Sequence, residues 1–286
     1  MDSIEIYLFF DNNLDANVLS ITSIDLSHFD FSEITELKEL FSENTFLKNI
    51  DLTNINISEV KSMDKMFYGC MSLETIVFSN VDTSSLEIMN EMFKECSSLK
   101  SLNMFNFDTS SVKRMEGMFS GCSSLESLNI SNFDTSSVKS MNSMFYGCKS
   151  LINLDINFNT SSITDMGSMF MGCSGLKYLN LSNFNTSIVN NMELMFAKCN
   201  SLKLLDISSF NIKNVSNYEN IFLKVLNLKY INIYDVLNAS NIFQESPLIN
   251  IINLIVCEKD DILIGDNIIK MCCNYNIEID KCESLI

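Results

Sequence analysis

Six cysteines could do chemistry, and they are evenly spaced. Cys70, Cys96, Cys122, Cys148, Cys173 and Cys199 follow one another at steps of 26, 26, 26, 25 and 26 residues. Thiols at such intervals can bridge, bind metal or act as nucleophiles. Zinc sites and cysteine nucleophiles usually recruit histidine, and the chain has a single histidine, His28, in the first, degenerate repeat, so no Cys/His metal pattern is present and no Ser-His-Asp triad is read. A ladder of bridges needs Cα separations of about 4.4–6.8 Å. Strands in stacked coils lie about 4.8 Å apart, so bridging is within reach. The cysteines, however, share the register of the apolar residues and are placed behind a helix, where coils splay wider. Buried, reduced thiols are the favoured reading. The methionines Met63, Met89, Met115, Met141, Met166 and Met192 keep the same period. A thioether column can take up copper, but its spacing tracks the core and points to gap-filling between coils. Hydroxyls and carboxylates are spread evenly, whereas an active site needs convergence. No catalytic residue, cofactor or metal site is expected.

These residues sit where they do because the chain repeats. Met66-Phe67, Met92-Phe93, Met118-Phe119, Met144-Phe145, Met169-Phe170 and Met195-Phe196 mark successive units, and a fixed period of 20–50 residues is the mark of a stacked repeat. Within one unit, Leu128 and Ile130 alternate with Ser127, Asn129 and Ser131, a period of two that predicts a half-buried strand. Asn132-Phe133-Asp134-Thr135-Ser136-Ser137 then supplies turn and helix-cap residues. Val138, Met141, Phe145 and Cys148 follow at steps of 3, 4 and 3, which predicts a short helix, with Gly147 as its left-handed end. Neither element is stable alone, so stacking must bury continuous columns, among them Phe107, Phe133, Phe158, Phe184 and Phe210. The expected fold is an α/β solenoid with one short parallel strand and one short helix per coil. Residues 1–22 form an N-terminal cap, 23–246 about eight to nine coils, and 247–286 a C-terminal cap with a helical piece near Ile268–Cys272. In that cap Cys257, Cys272, Cys273 and Cys282 read as free or structural thiols, with two disulfides or a metal site as alternatives.

Composition limits the partners. The chain is 47% hydrophobic with one proline, which excludes disorder and a long linker. Its formal net charge of −17 disfavours nucleic acid and anionic membranes as partners. No apolar stretch is long enough to insert in a bilayer. The first residues, MDSIEIYLFFDNN, lack a basic region and read as a capping strand and not as a signal peptide.

The unit from Leu125 to Cys148, Leu-x-x-Leu-x-Ile-Ser-Asn-Phe-Asp-Thr-Ser-Ser-Val-x-x-Met-x-x-Met-Phe-x-Gly-Cys, resembles the BspA-like leucine-rich repeats of bacterial surface proteins. The resemblance runs over roughly residues 20 to 245. It implies a non-enzymatic scaffold, display on a cell surface and adhesion through a protein or cell-surface ligand. It carries no catalytic residues. Ten cysteines without a visible signal peptide fit a reducing compartment instead, so the compartment stays open. A structural spacer and an enzyme or its regulatory subunit are the alternative functions. Phe133 and its equivalents stand where ordinary leucine-rich repeats keep a turn asparagine, so their horseshoe curvature does not follow.

A binding face is expected on the outward side of the strands. Asp51, Asn103, Asn129, Asp155, Asn180, Asp206 and Asn232 form one outward column, broken by Val77. Beside it Thr75, Ser101, Ser127 and Asn153 give way to Tyr178, Leu204 and Tyr230. The Asn/Asp column can simply ladder and solvate a sheet. The tyrosines add rigid contact area, which places a partner around Tyr178, Asp206, Tyr230 and Tyr234.

Overall fold

The computed structural model describes residues 22–26, 31–233, 255–257 and 269–271, with Asp25 and the last two stretches described through the backbone alone. The expected N-terminal capping strand, His28, Tyr234 and the side chains of the four tail cysteines lie outside the described residues.

Over these residues the chain is a parallel β-solenoid of about eight turns, similar to a leucine-rich repeat. Its strands are β1 (Ser23–Asp25), β2 (Asn49–Asp51), β3 (Thr75–Val77), β4 (Ser101–Asn103), β5 (Ser127–Asn129), β6 (Tyr178–Asn180), β7 (Leu204–Asp206), β8 (Tyr230–Asn232), β9 (Ile255–Cys257) and β10 (Ile269–Met271). They pair in parallel within three sheets, β1–β2–β3, β4–β5 and β6–β7–β8–β9–β10, and through β8 the register follows the sequence period, as in Ile24↔Ile50↔Ile76 and Leu179↔Leu205↔Ile231. At its strand position the coil that starts at Leu151 contributes only the bridge Asn153↔Tyr178. Alternation places Ile50, Ile76 and Leu102 inside and their neighbours outside, as the period of two requires. In the tail, the helical piece expected near Ile268–Cys272 is instead strand β10, which pairs with β9 and prolongs the sheet.

No helix forms among the described residues, and the short helix per coil is corrected here. The segment from Met141 to Cys148 is a run of tight turns. Every second amide leaves the coil: Met141 donates to the Asp165 carbonyl at 2.9 Å, Ser143 to Gly167 at 2.9 Å, Phe145 to Met169 at 2.9 Å and Gly147 to Met171 at 2.7 Å. The amides between them close i→i−3 turns, Met144 on Met141, Tyr146 on Ser143 and Cys148 on Phe145. Ser143 and Gly147 hold φ of +57° and +70°, which an α-helix forbids. The reason is spacing. Packed helices need about 8–10 Å between axes. Here Phe41, Phe67, Phe93, Phe119, Phe145, Phe170, Phe196 and Phe222 stack ring on ring at 5.3–5.9 Å, within 11° of parallel. The turn side is thus nearly as tightly stacked as the strand side, and a helix does not fit.

The Asn-Phe-Asp-Thr-Ser motif works differently from the expected helix cap. Asp134 accepts the Ser136 amide at 2.9 Å, an Asx turn. Thr160, almost fully buried, donates its hydroxyl to the Asn185 carbonyl at 3.0 Å and accepts the Asn185 amide at 2.7 Å. Thr83, Thr109 and Thr186 bind the next coil through the same pair of bonds. One hydroxyl therefore satisfies two backbone groups that the corner would otherwise leave unpaired.

Two stability outcomes follow from these columns. Phe145→Ala leaves a gap in the stack and should cost about 3–5 kcal/mol in urea unfolding, with the loss centred on its own and the adjoining coils. Thr160→Val keeps the shape and strands both Asn185 groups, so it should cost about 1–3 kcal/mol. The exposed neighbour change Ser161→Ala should stay within about 0.5 kcal/mol.

Candidate binding face

The inside of each coil is chemically quiet. The six repeat cysteines are free and buried. Each thiol donates to the phenylalanine carbonyl of the preceding coil, from Cys70 to Phe41 at 3.0 Å through Cys199 to Phe170 at 3.1 Å. That carbonyl also accepts an amide of its own coil, as Phe119 does from Cys122 at 3.1 Å and from the Cys148 thiol at 3.2 Å. Burial raises all six thiols and pushes Cys70 and Cys199 up to about 12; neighbouring sulfurs add to the rise at Cys96, Cys148 and Cys173. A nucleophile needs the opposite shift. Among the described residues no group of three or more His, Cys, Asp or Glu side chains could hold a metal ion. The methionines Met63, Met89, Met115, Met141, Met166 and Met192, expected as gap-fillers between coils, are buried in the core.

Outside, the strand face divides into two ends. In the early coils Asn49 and Asp51, Thr75 and Val77, Ser101 and Asn103, and Ser127 and Asn129 all stand in water. Around β1–β3 they frame an open hollow of about 430 Å³ lined by Ser23, Ile24, Asn49, Asp51, Thr75 and Val77, among others. In the late coils the same positions sink, Asn180 excepted. Leu204 is 3% and Tyr230 9% exposed, while Tyr178 and Asp206 are half-buried. The change in character read along this column is therefore also a change in burial. Tyr178, Asp206 and Tyr230 do share one patch on β6, β7 and β8, across the pairs Tyr178↔Leu204↔Tyr230.

The Asn/Asp column has a structural task as well. Asp51 accepts the Thr53 amide at 2.9 Å, Asn180 that of Ser182 at 2.9 Å and Asp206 that of Ser208 at 2.9 Å. Each is an Asx turn that ends its strand. Asn232 also donates to the second Asp206 oxygen at 2.9 Å, one rung of a side-chain ladder. The hollow over β1–β3 is a recess that the sequence reading missed. Its only visible sign was Val77, where the column loses its polar residue.

The thiols give a pH dependence. Above the ordinary thiol value of 9.0 an unfolded chain releases protons that the folded one retains. Stability should be full below pH 9 and fall as pH rises towards 12, by up to about 1.4 kcal/mol per pH unit for each thiol. Urea midpoints from pH 7 to 11 check this, and Cys148→Ala should flatten the slope. With a maleimide at neutral pH the six repeat cysteines should stay unlabelled in the native protein and react once it is unfolded, as read by peptide mass.

Among the described residues no helix is long and apolar enough to cross a membrane. The family described as "Mycoplasma protein of unknown function, DUF285" matches residues 9–103, 72–158 and 152–252. No curated protein matches the sequence. Solved structures with a related outline include a leucine rich cell surface protein from Faecalibacterium prausnitzii, at 14% identity over 89% of this chain and 84% of that one, with a TM-score of 0.35. A leucine-rich repeat protein from Bacteroides ovatus matches at 20% identity over 74% and 78%, with a TM-score of 0.24. A TLR13–ssRNA13 complex matches at 16% identity over 89% of this chain and 45% of that one, with a TM-score of 0.26. These superpositions are too loose to carry an argument about this chain.

Proposed function

Because the chain belongs to the DUF285 family, with repeats of the BspA-like leucine-rich kind, we propose that it is a non-enzymatic scaffold that binds a protein partner on the outward face of its strands. The observation that supports this is the division between the two sides of each strand. Inward residues repeat with little change, whereas outward residues vary from coil to coil on a constant backbone, as Asn49/Asp51, Thr75/Val77, Ser101/Asn103 and Tyr178/Asn180 do. Such a surface can be altered one side chain at a time without disturbing the core. Tyr178 and Asp206 supply an aromatic anchor and a charge, Tyr230 floors the patch, and Tyr234 follows in sequence. The partner presents basic or polar groups to Asp206. Display on a cell surface and adhesion to a neighbouring cell accord with the family resemblance, and the spacer and enzyme readings have no comparable observation behind them.

The test uses the whole chain with a photo-crosslinker at Asn103, at Asn180 or at Lys139, on another side of the coil, in contact with the cells that display it or that it meets. Capture of one partner from the two strand-face positions and not from Lys139 is the expected result. The double change Tyr178→Ala/Asp206→Ala should then weaken that partner at least tenfold, whereas Lys139→Ala should leave it unchanged. Capture from Lys139 alone, or full affinity in the double variant, would overturn the assignment of the face.

A further inference from the structure

The charge of this chain is unevenly placed along its axis. From Leu176 to Ile233 the lysines Lys177, Lys198, Lys203, Lys213, Lys224 and Lys229 outnumber the carboxylates Glu193, Asp206 and Glu219, although the whole chain carries −17. Lys177, Lys203 and Lys229 are successive rungs of one stripe just before the strands. The Lys203 amide donates to the Lys177 carbonyl and the Lys229 amide to the Lys203 carbonyl, both at 2.8 Å. All three are exposed. In the early coils the same stripe alternates, Lys48, Glu74, Lys100 and Glu126, so each charge has an opposite neighbour. The late stripe has none, and these three lysines make no ion pair among the described residues. Like charges on adjacent rungs repel, and among the described residues the stripe has no counter-charge.

A matching stripe lies past the other end of the strands. Asp82, Asp108 and Asp134 are exposed on three successive coils, held in register by Thr83 and Thr109, which take the amides of the next aspartate at 2.8 Å. Serine hydroxyls and amides hold Asp82 and Asp108 below the usual carboxylate range. The next three coils carry Asn159, Asn185 and Asn211 there instead.

Spacing selects the occupant. Rungs repeat at about 4.8 Å. An extended acidic peptide offers same-side charges about 6.8 Å apart, and a DNA duplex one phosphate per about 3.4 Å of axis on each strand. A second solenoid of this pitch matches rung for rung. We propose that the Lys177–Lys203–Lys229 stripe of one copy docks on the Asp82–Asp108–Asp134 stripe of another. The two stripes flank opposite margins of the sheet, so the contact is heterologous and open-ended, and copies line up side by side with the strand faces left free. The contact is independent of the partner proposed above. Exposed ion pairs are weak and screened by salt, so association belongs to low ionic strength or to crowding on a surface.

Sedimentation of the full chain over a concentration series tests this, at about 20 mM and about 500 mM salt. Two charge-removing variants are used: Lys177→Gln/Lys203→Gln/Lys229→Gln, in a register that already accepts Glu74 and Ile152, and Asp82→Asn/Asp108→Asn/Asp134→Asn, which copies the natural Asn159, Asn185 and Asn211. The wild type should pass twofold of the monomer mass at low salt and return to monomer at high salt. Each variant alone should stay monomeric with an unchanged circular dichroism spectrum. Their equimolar mixture should approach twofold and stop, because each supplies one intact stripe. A wild type that stays monomeric at low salt, variants that assemble alone, or a mixture that behaves like its parts would overturn the proposal. Tighter binding of the wild type to polyglutamate or single-stranded RNA than to itself, lost in the lysine variant, would overturn it in favour of a polyanion.

Discussion

The pitch of the coil governs this molecule. Strand ladders hold one side near 4.8 Å, and alternate amides of the turn run hold the other at nearly the same distance, as the phenylalanine stack records. Once both sides are that tight, the contents of every coil are constrained. Flat rings stack face to face at that spacing, and phenylalanine occupies the turn-side column in every coil from Phe41 to Phe222. Backbone groups at the corners cannot reach water, so Thr83, Thr109, Thr160 and Thr186 reach them with hydroxyls. The thiols take up the remaining acceptor capacity of the phenylalanine carbonyls. The repeated signature is the set of residues that satisfies one pitch.

That signature made much of the fold legible. The period, the inward columns and the quiet thiols follow from spacing alone, because an apolar residue recurring every 26 positions has to face the core in a stack. The helix did not follow. Steps of 3, 4 and 3 from Val138 to Cys148 suit one face of a helix, but they suit a chain of tight turns equally well. The discriminating signal was a glycine pair four residues apart, Gly117 and Gly121, both at positive φ. A two-turn helix has no use for the first of them. The role of Asp134 and Thr135 was half-read: Asp134 does close its own turn on the Ser136 amide, but Thr135 donates to the Asn159 carbonyl of the next coil, and single-coil reasoning cannot see across.

The outer face was legible only in part for a related reason. Which residues point outward follows from alternation, and the column from Asp51 to Asn232 is where it was expected. How far each stands in water depends on what else packs nearby. Leu204 and Tyr230 are sunk although they share the register of the exposed Thr75 and Ser101. Asp206 is engaged twice, by the Ser208 amide and by Asn232, so a charge that reads as bait for a partner also holds its own turn closed.

The 25-residue coil between Leu151 and Gly175 shows how forgiving the architecture is. It lacks a residue before Phe158, yet the rungs on either side keep their places: Asn153 meets Tyr178, Asp165 meets Asn191, and Phe145 still stacks on Phe170 at 5.6 Å. Slippage at that corner is absorbed within a single turn. A gene of this kind can therefore lengthen or shorten by whole units, or by a codon at the corner, and still encode a product whose upper and lower surfaces fit. Its reach becomes a heritable variable, adjustable separately from the chemistry it displays.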